Sequence, residues 1–127
     1  MSRRALPGWL LLLAVILAVI PFGALPAQAT EYLAGASDLP LATGLKEQPD
    51  KGAVFDTPLG RIVTAYASGN AKPQAVLDFY DDTLPQLGWE RDKPGTYHRK
   101  KETLKIDVVG PEQGPCKVSY TLSSQNQ

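Results

Sequence analysis

The clearest periodic pattern in the chain lies in residues 73–87, where apolar side chains recur at the spacing of an α-helix. Five of them share one stripe: Val76, Leu77, Tyr80, Leu84 and Leu87. Three aspartates occupy the other faces, so the pattern predicts an amphipathic helix with one buried stripe. Pro73 suits the first helical position, because the N–H that proline lacks would have no partner within the helix.

Three residues after the stripe predict how this helix ends. Pro85 removes a backbone hydrogen bond and disfavours helical geometry at the residue before it, so we expect the last turn to kink or to loosen. Gly88 suits the left-handed position that ends a helix. Trp89 follows directly and is placed to fold back onto the final turn.

Alternation of apolar and polar residues on both sides of the helix predicts β-strands. Residues 53–57 and 61–68 are joined by a Thr-Pro-Leu-Gly turn and form a predicted hairpin. Four later segments predict an antiparallel meander: residues 89–92, 96–100, 103–109 and 116–122. The sequence therefore predicts an α+β fold, in which the hairpin and the meander build a twisted antiparallel sheet and the one helix packs on its apolar face.

The first 29 residues have the layout of a secretion signal. Arg3 and Arg4 precede a charge-free apolar run over residues 9–20, and Ala27 and Ala29 place small residues where a signal peptidase cuts. We expect cleavage before Thr30, which sends a bacterial protein to the periplasm or the exterior. The alternative is an uncleaved inner-membrane anchor, because residues 9–25 are just long enough to span a bilayer.

The chain divides into four segments on these patterns. Residues 1–29 form the predicted signal peptide. Residues 30–52 have no clean period and contain several glycines and prolines, which predicts an extended arm that is ordered only where its leucines lie on the domain. Residues 53–122 hold the α+β domain, and residues 123–127 are polar and are predicted to fray.

Charge and composition exclude several classes of protein. Thirteen basic residues balance thirteen acidic ones in the chain of 127 residues, and no basic stripe indicates a nucleic-acid binder. A single cysteine, Cys116, excludes an intrachain disulfide framework and a thiolate zinc cluster. Its phase in the last strand predicts a buried thiol. We expect no cofactor and no metal, because no motif for either is present.

Three residues are the candidates for contact with a ligand or a partner. His98 is the only histidine, lies in mid-strand directly before the basic residues 99–101, and is expected to be exposed to solvent. It could act as a base near pH 7, although the sequence presents no nucleophile motif beside it. Asp56 and Arg61 flank the hairpin turn, where they could pair across the strands or bind a polar ligand together.

Two segments of the chain resemble a known group of proteins. Residues 76–80 read V-L-D-F-Y, residues 84–89 read L-P-Q-L-G-W, and residues 54–63 precede them in the hairpin. The combination resembles small exported proteobacterial proteins that share a domain of unknown function, and the likeness covers about residues 39–122. It implies a periplasmic α+β domain and carries no catalytic residues to this chain.

These observations favour an exported module that is not an enzyme and that binds a protein partner or another envelope component. The contact surface would be the arm with its leucines or the polar sheet face, which carries Lys105, Asp107, Lys117, Ser119 and Thr121. One alternative is a membrane-anchored assembly subunit that retains the leader. The other is an unrecognised enzyme that uses His98 and carboxylates. The sequence leaves the oligomeric state open.

Overall fold

The structure of the protein is a computed structural model that describes Gly23 and residues 30–126. The predicted signal peptide lies outside the described residues except for Gly23, and so do Ala27 and Ala29 of the predicted cleavage site. Thr30, the predicted first residue after cleavage, is described and is exposed. Within the described part, no helix is both long enough and apolar enough to cross a membrane.

Nine strands and one α-helix follow each other along residues 32–125. The strands are β1 (Tyr32–Leu33), β2 (Ala36–Pro40), β3 (Leu45–Glu47), β4 (Ala53–Thr57), β5 (Gly60–Gly69), β6 (Glu90–Lys93), β7 (Thr96–Arg99), β8 (Glu102–Val109) and β9 (Cys116–Gln125). The helix α1 spans Pro73–Thr83, and short 3-10 helices cover Pro49–Lys51 and Leu84–Leu87. The predicted hairpin, helix and meander are all present in this order.

Seven of the strands form one antiparallel sheet. Its order is β3, β5, β9, β8, β7, β6, and β4 also pairs with β5. β5 and β9 pair along their full length, from Gly60 opposite Gln125 to Gly69 opposite Cys116. β9 therefore lies in the middle of the sheet, between β5 and β8. The prediction of an α+β fold with an antiparallel sheet is confirmed.

The helix covers one face of this sheet and closes the core there. From α1 and the 3-10 turn after it, Val76, Tyr80 and Leu84 are almost fully buried. They belong to one cluster with the sheet residues Ala65, Ala67, Leu104, Ile106, Val118 and Tyr120. Alternate residues of each strand point to the same face, which is why the apolar members of the predicted meander meet the helix together.

Most of the predicted extended arm is built into the core. Leu33, Leu39, Leu41 and Leu45 are 7% exposed or less, and β1 and β2 form a small hairpin of their own. The buried hydroxyl of Tyr80 donates to the Pro40 carbonyl at 2.9 Å and accepts from the Ala42 N–H at 3.3 Å. Hydrogen bonds from Tyr80 of the helix and burial of the arm's own leucines together hold residues 33–45 in place.

The predicted frayed tail also differs from the structure, because β9 continues to Gln125. Arg61 and Ile62 of β5 pair with Ser124 and Ser123, and these same serines pair with β8 on the other side. Gly60 makes this extension sterically feasible. Its φ is 151°, and a β-carbon at this position would collide with the carbonyl oxygen of Ser124.

The end of the helix follows the predicted pattern. α1 passes at Leu84 into the 3-10 turn that contains Pro85, and Gly88 adopts the left-handed conformation with φ 92°. The Trp89 N–H then donates to the Leu84 carbonyl at 3.1 Å. Trp89 is 2% exposed, and the guanidinium of Arg99 lies 4.3 Å from the centre of its ring. The indole is therefore packed between the core and a cation.

Candidate functional site

The sheet face opposite α1 is the largest feature with the properties of a contact surface, and we call it the open face. Because residues alternate along a strand, β5 contributes Ile62, Thr64 and Tyr66 to this face, and β9 contributes Ser119, Thr121 and Ser123. The paired residues of β8 are Thr103, Lys105 and Asp107. All five positions that the sequence assigned to a polar sheet face lie here or at its edge.

Three large apolar side chains of the open face lie on β4 and β5, whereas Val109 stands apart at the end of β8. Phe55 of β4 pairs directly with Ile62, and Tyr66 lies four residues further along the same side of β5. Phe55 is 54% exposed, Ile62 37% and Tyr66 38%. We call these three residues, with Thr64 between them, the apolar patch. Large exposed apolar groups that cluster on a small domain are typical of contact surfaces, whereas isolated ones are ordinary.

His98 lies on the open face in β7, three strands across the sheet from Ile62, and contacts two polar side chains. Its Nε2 lies 3.3 Å from Asp92 Oδ2, and its Nδ1 lies 3.3 Å from the Thr103 hydroxyl. About half of the His98 side chain is exposed, as is more than half of Asp92. The three groups form a carboxylate–imidazole–hydroxyl chain, but in contact with water such a chain is only weakly polarised.

Asp56 and Arg61 pair with each other across the hairpin, at 3.8 Å. Both side chains are more than half exposed, so this ion pair contributes little to stability. His98 is not near them. It lies three strands away from Arg61, about 14 Å across the sheet, and on the opposite face. The structure thus brings two of the three candidate residues together and leaves the third apart.

Arg99 is the centre of a polar cluster for which the sequence holds no signal. Its guanidinium donates to Asp38 at 2.6 Å, to Glu102 at 2.9 Å and to the Leu87 carbonyl at 3.1 Å. Its partners come from β2, β8 and the 3-10 turn after α1. Arg99 thus binds two carboxylates with one positive charge, and all of its partners belong to the fold itself. We therefore interpret the cluster as a structural contact that joins β2, β8 and the 3-10 turn after α1.

A cleft of about 890 Å³ lies between α1 and the segment that connects β2 to β3. Its walls include Tyr32, Leu41, Phe79 and Leu87, and Thr30 lies at its rim. Tyr32 is half exposed and Leu87 is 38% exposed. The cleft is a second partly apolar surface, and Glu31 and Lys46 are the charged residues in its lining.

The thiol of Cys116 is buried at the start of β9, with 2% of the residue exposed. Burial raises its pKa, and thiols react as thiolates. We therefore expect the native protein to resist thiol reagents at pH 7 and to be modified rapidly once it is denatured. Labelling followed by intact-mass measurement tests this. Rapid labelling under native conditions, with the melting temperature unchanged, would contradict the assigned burial.

Within the residues that the structure describes, no group of three or more His, Cys, Asp and Glu side chains is arranged to hold a metal ion.

Comparison with known proteins adds no constraint on the site. No family model, no curated protein and no solved structure matches the chain. The geometry of the described residues therefore carries the functional argument by itself.

Proposed function

We propose that the chain is a non-catalytic exported module that binds a protein partner of the bacterial envelope through its open face. The observation that carries this proposal is the apolar patch, three large side chains exposed together on one flat side of the sheet. Protein interfaces combine an apolar centre with a polar rim. The serines and threonines of β9 and the charged residues of β8 supply such polar groups on one side of the patch.

The other contact surface considered from the sequence is much less suitable. The leucines of the predicted arm are buried against the helix and the sheet and are at most 7% exposed, so they offer a partner little area. Exposing them would require the Tyr80 hydroxyl to release Pro40 and Ala42. The open face needs no such rearrangement, because its side chains are exposed already.

The charge of the open face favours a protein partner over a polyanion. Lys105 and Lys117 are accompanied by Asp107 and Asp92, and Ser119 and Thr121 separate them. A surface that binds a polyanion requires a basic excess, which is absent from this face. Mixed charges around apolar side chains suit a partner of similarly mixed composition.

Site-specific photo-crosslinking in living cells tests the proposal. A photoreactive phenylalanine analogue in place of Tyr66 is expected to form an adduct with a second envelope protein. The same analogue at Asp82, exposed on the solvent side of α1, is the matched control. Adding the substitution Ile62→Lys should then reduce the adduct yield from position 66 at least about tenfold, the size of effect expected at an interface hot spot. Equal yields at both positions, or none at either, would contradict the proposal.

Export is the second half of the proposal, and the mass of the mature chain tests it. Protein recovered from the envelope is expected to begin at Thr30. Retention of residues 1–29 would favour the alternative of a membrane-anchored subunit, with the same open face available for contact.

The competing proposal is an enzyme that uses His98 and carboxylates. The chain of contacts from Asp92 through His98 to Thr103 is the observation that favours it. His98→Ala decides between the two. A binding module should retain its adduct at position 66 and its cellular function, whereas an enzyme should lose function with the adduct unchanged.

A further inference from the structure

The two edges of the seven-stranded sheet are chemically different. At one edge, β6 consists of Glu90, Arg91, Asp92 and Lys93, and all four residues are charged. Charged edge strands resist pairing with another strand. At the other, β4 reads Ala-Val-Phe-Asp-Thr, has one charged residue, and exposes Val54 by 44% and Phe55 by 54%. β3, which pairs with the same side of β5, carries Lys46 and Glu47, so β4 is the edge strand with the least protection by charge.

The backbone of β4 offers free hydrogen-bonding groups on its outer side. The Tyr66 carbonyl accepts from the Gln48 N–H at 2.7 Å, so Tyr66 directs its backbone groups toward the β3 and β4 side of β5. The direction of the backbone N–H and C=O groups alternates along a strand, so those of Ile62 point to the same side as those of Tyr66. On that side Ile62 pairs with Phe55. Val54 and Asp56 must then direct their N–H and C=O groups outward, and β4 pairs with no strand but β5 among those described.

The geometry points to a second copy of this chain as the partner of β4, in an antiparallel β4–β4 pair centred on Phe55. In this register Val54 of each copy lies opposite Asp56 of the other, and the outward groups of both can form four hydrogen bonds. The two Phe55 rings face each other in a non-hydrogen-bonded pair, where side chains approach most closely.

The apolar patch explains why a second copy fits better than an unrelated strand. Phe55 and Ile62 lie in one row that ends at the free edge. A two-fold axis between the two Phe55 residues continues this row as Ile62, Phe55, Phe55 and Ile62 across the joint, so the apolar ends of the two copies meet side by side. The small net charge also opposes self-association little, because residues 30–127 carry eleven basic and thirteen acidic side chains. This inference does not depend on a heterologous partner for the open face.

Sedimentation over a hundredfold range of concentration tests the pairing with the full exported chain. The wild-type mass is expected to rise toward twice the monomer value. Val54→Pro removes an outward N–H that makes no bond within the monomer, and should weaken the dimer at least about tenfold. Val54→Thr keeps the N–H and should behave as the wild type. A wild-type protein that stays monomeric, or a folded V54P that dimerises as the wild type does, would overturn the inference.

A crosslink fixes the register independently and does not rely on the proline variant folding. In a Cys116→Ala background, Phe55→Cys is expected to form an intermolecular disulfide under mild oxidation, because opposed residues in such a pair come within bonding range. Ile62→Cys is the control, since three strand spacings, about 14 Å, would separate the two thiols. Equal crosslinking by both variants, or none by Phe55→Cys, would overturn the proposed pairing and leave the open-face proposal to its own test.

Discussion

Replacing Trp89 with alanine is expected to lower the free energy of unfolding by about 3–5 kcal/mol, the range for truncation of a large buried aromatic residue. Trp89 is among the largest fully buried side chains and joins the end of the helix to the sheet. Its loss also removes the ring on which Arg99 lies. A domain of this size has about 5–15 kcal/mol of stability in total. We therefore expect the variant to be largely unfolded and sensitive to proteolysis.

Trp89→Phe provides the matched control for this prediction. Within the described residues the indole Nε1 is buried and has no hydrogen-bond partner, so phenylalanine sacrifices volume but no hydrogen bond. It should cost clearly less than alanine. Urea unfolding of both variants measures the difference, and the blue-shifted tryptophan emission of the wild type reports the same burial. An unchanged unfolding midpoint in Trp89→Ala would contradict the account of the core.

Above pH 10 the folded protein is expected to lose stability steeply. Three buried tyrosines are responsible: Tyr80, Tyr97 and Tyr120. Desolvation by burial raises the pKa of Tyr80 from 10.0 to about 12. It also raises the pKa of Tyr97 and of Tyr120, and hydrogen bonds to Asp81 and Tyr80 respectively act in the same direction. The folded chain thus keeps these protons at a pH where the unfolded chain releases them.

The sign follows from this difference in bound protons. Below pH 10 both states hold the phenolic protons, and stability does not depend on them. Between pH 10 and about 12 the unfolded state binds fewer protons than the folded state, so stability falls as the pH rises. Each tyrosine contributes up to about 1.4 kcal/mol per pH unit, which makes about 4 kcal/mol per unit for the three.

Urea unfolding at half-unit steps from pH 9 to about pH 11.5 measures this slope. Tyr97→Phe should reduce the slope by about a third, since one of the three groups no longer titrates. A stability that stays constant to pH 11 would show that these hydroxyls ionise equally in both states.

The parts of the fold that the sequence predicted are those set by local rules. Pro73, Pro85 and Gly88 restrict the backbone at their own positions, so the start and the end of the helix could be read without its surroundings. The strands of the meander alternate cleanly for the same local reason. Leu39 and Leu41 gave no such signal, because their burial depends on Tyr80 and Tyr120, which come much later in the chain.

The candidate site was less predictable, because surfaces are made by pairing between strands. Asp56 and Arg61 could be matched from the turn between them. The apolar patch could not be predicted, because the alternation of residues along β5 does not show that the face with Ile62 and Tyr66 stays exposed to solvent. Arg99 is the extreme case. Its carboxylate partner Asp38 lies in the arm, and only the packing of β2 brings the two together.

The central place of β9 in the sheet has a consequence for the order in which the molecule can fold. β5 and β8 are not neighbours of each other, and each completes its pairing only through residues 116–125. These residues are the last of the described strands to be synthesised. Until they emerge, the hairpin of β4 and β5 and the meander of β6–β8 are two separate fragments with open edges. Long-range closure of this kind is slow, so both fragments keep an unpaired edge until the last strand joins them.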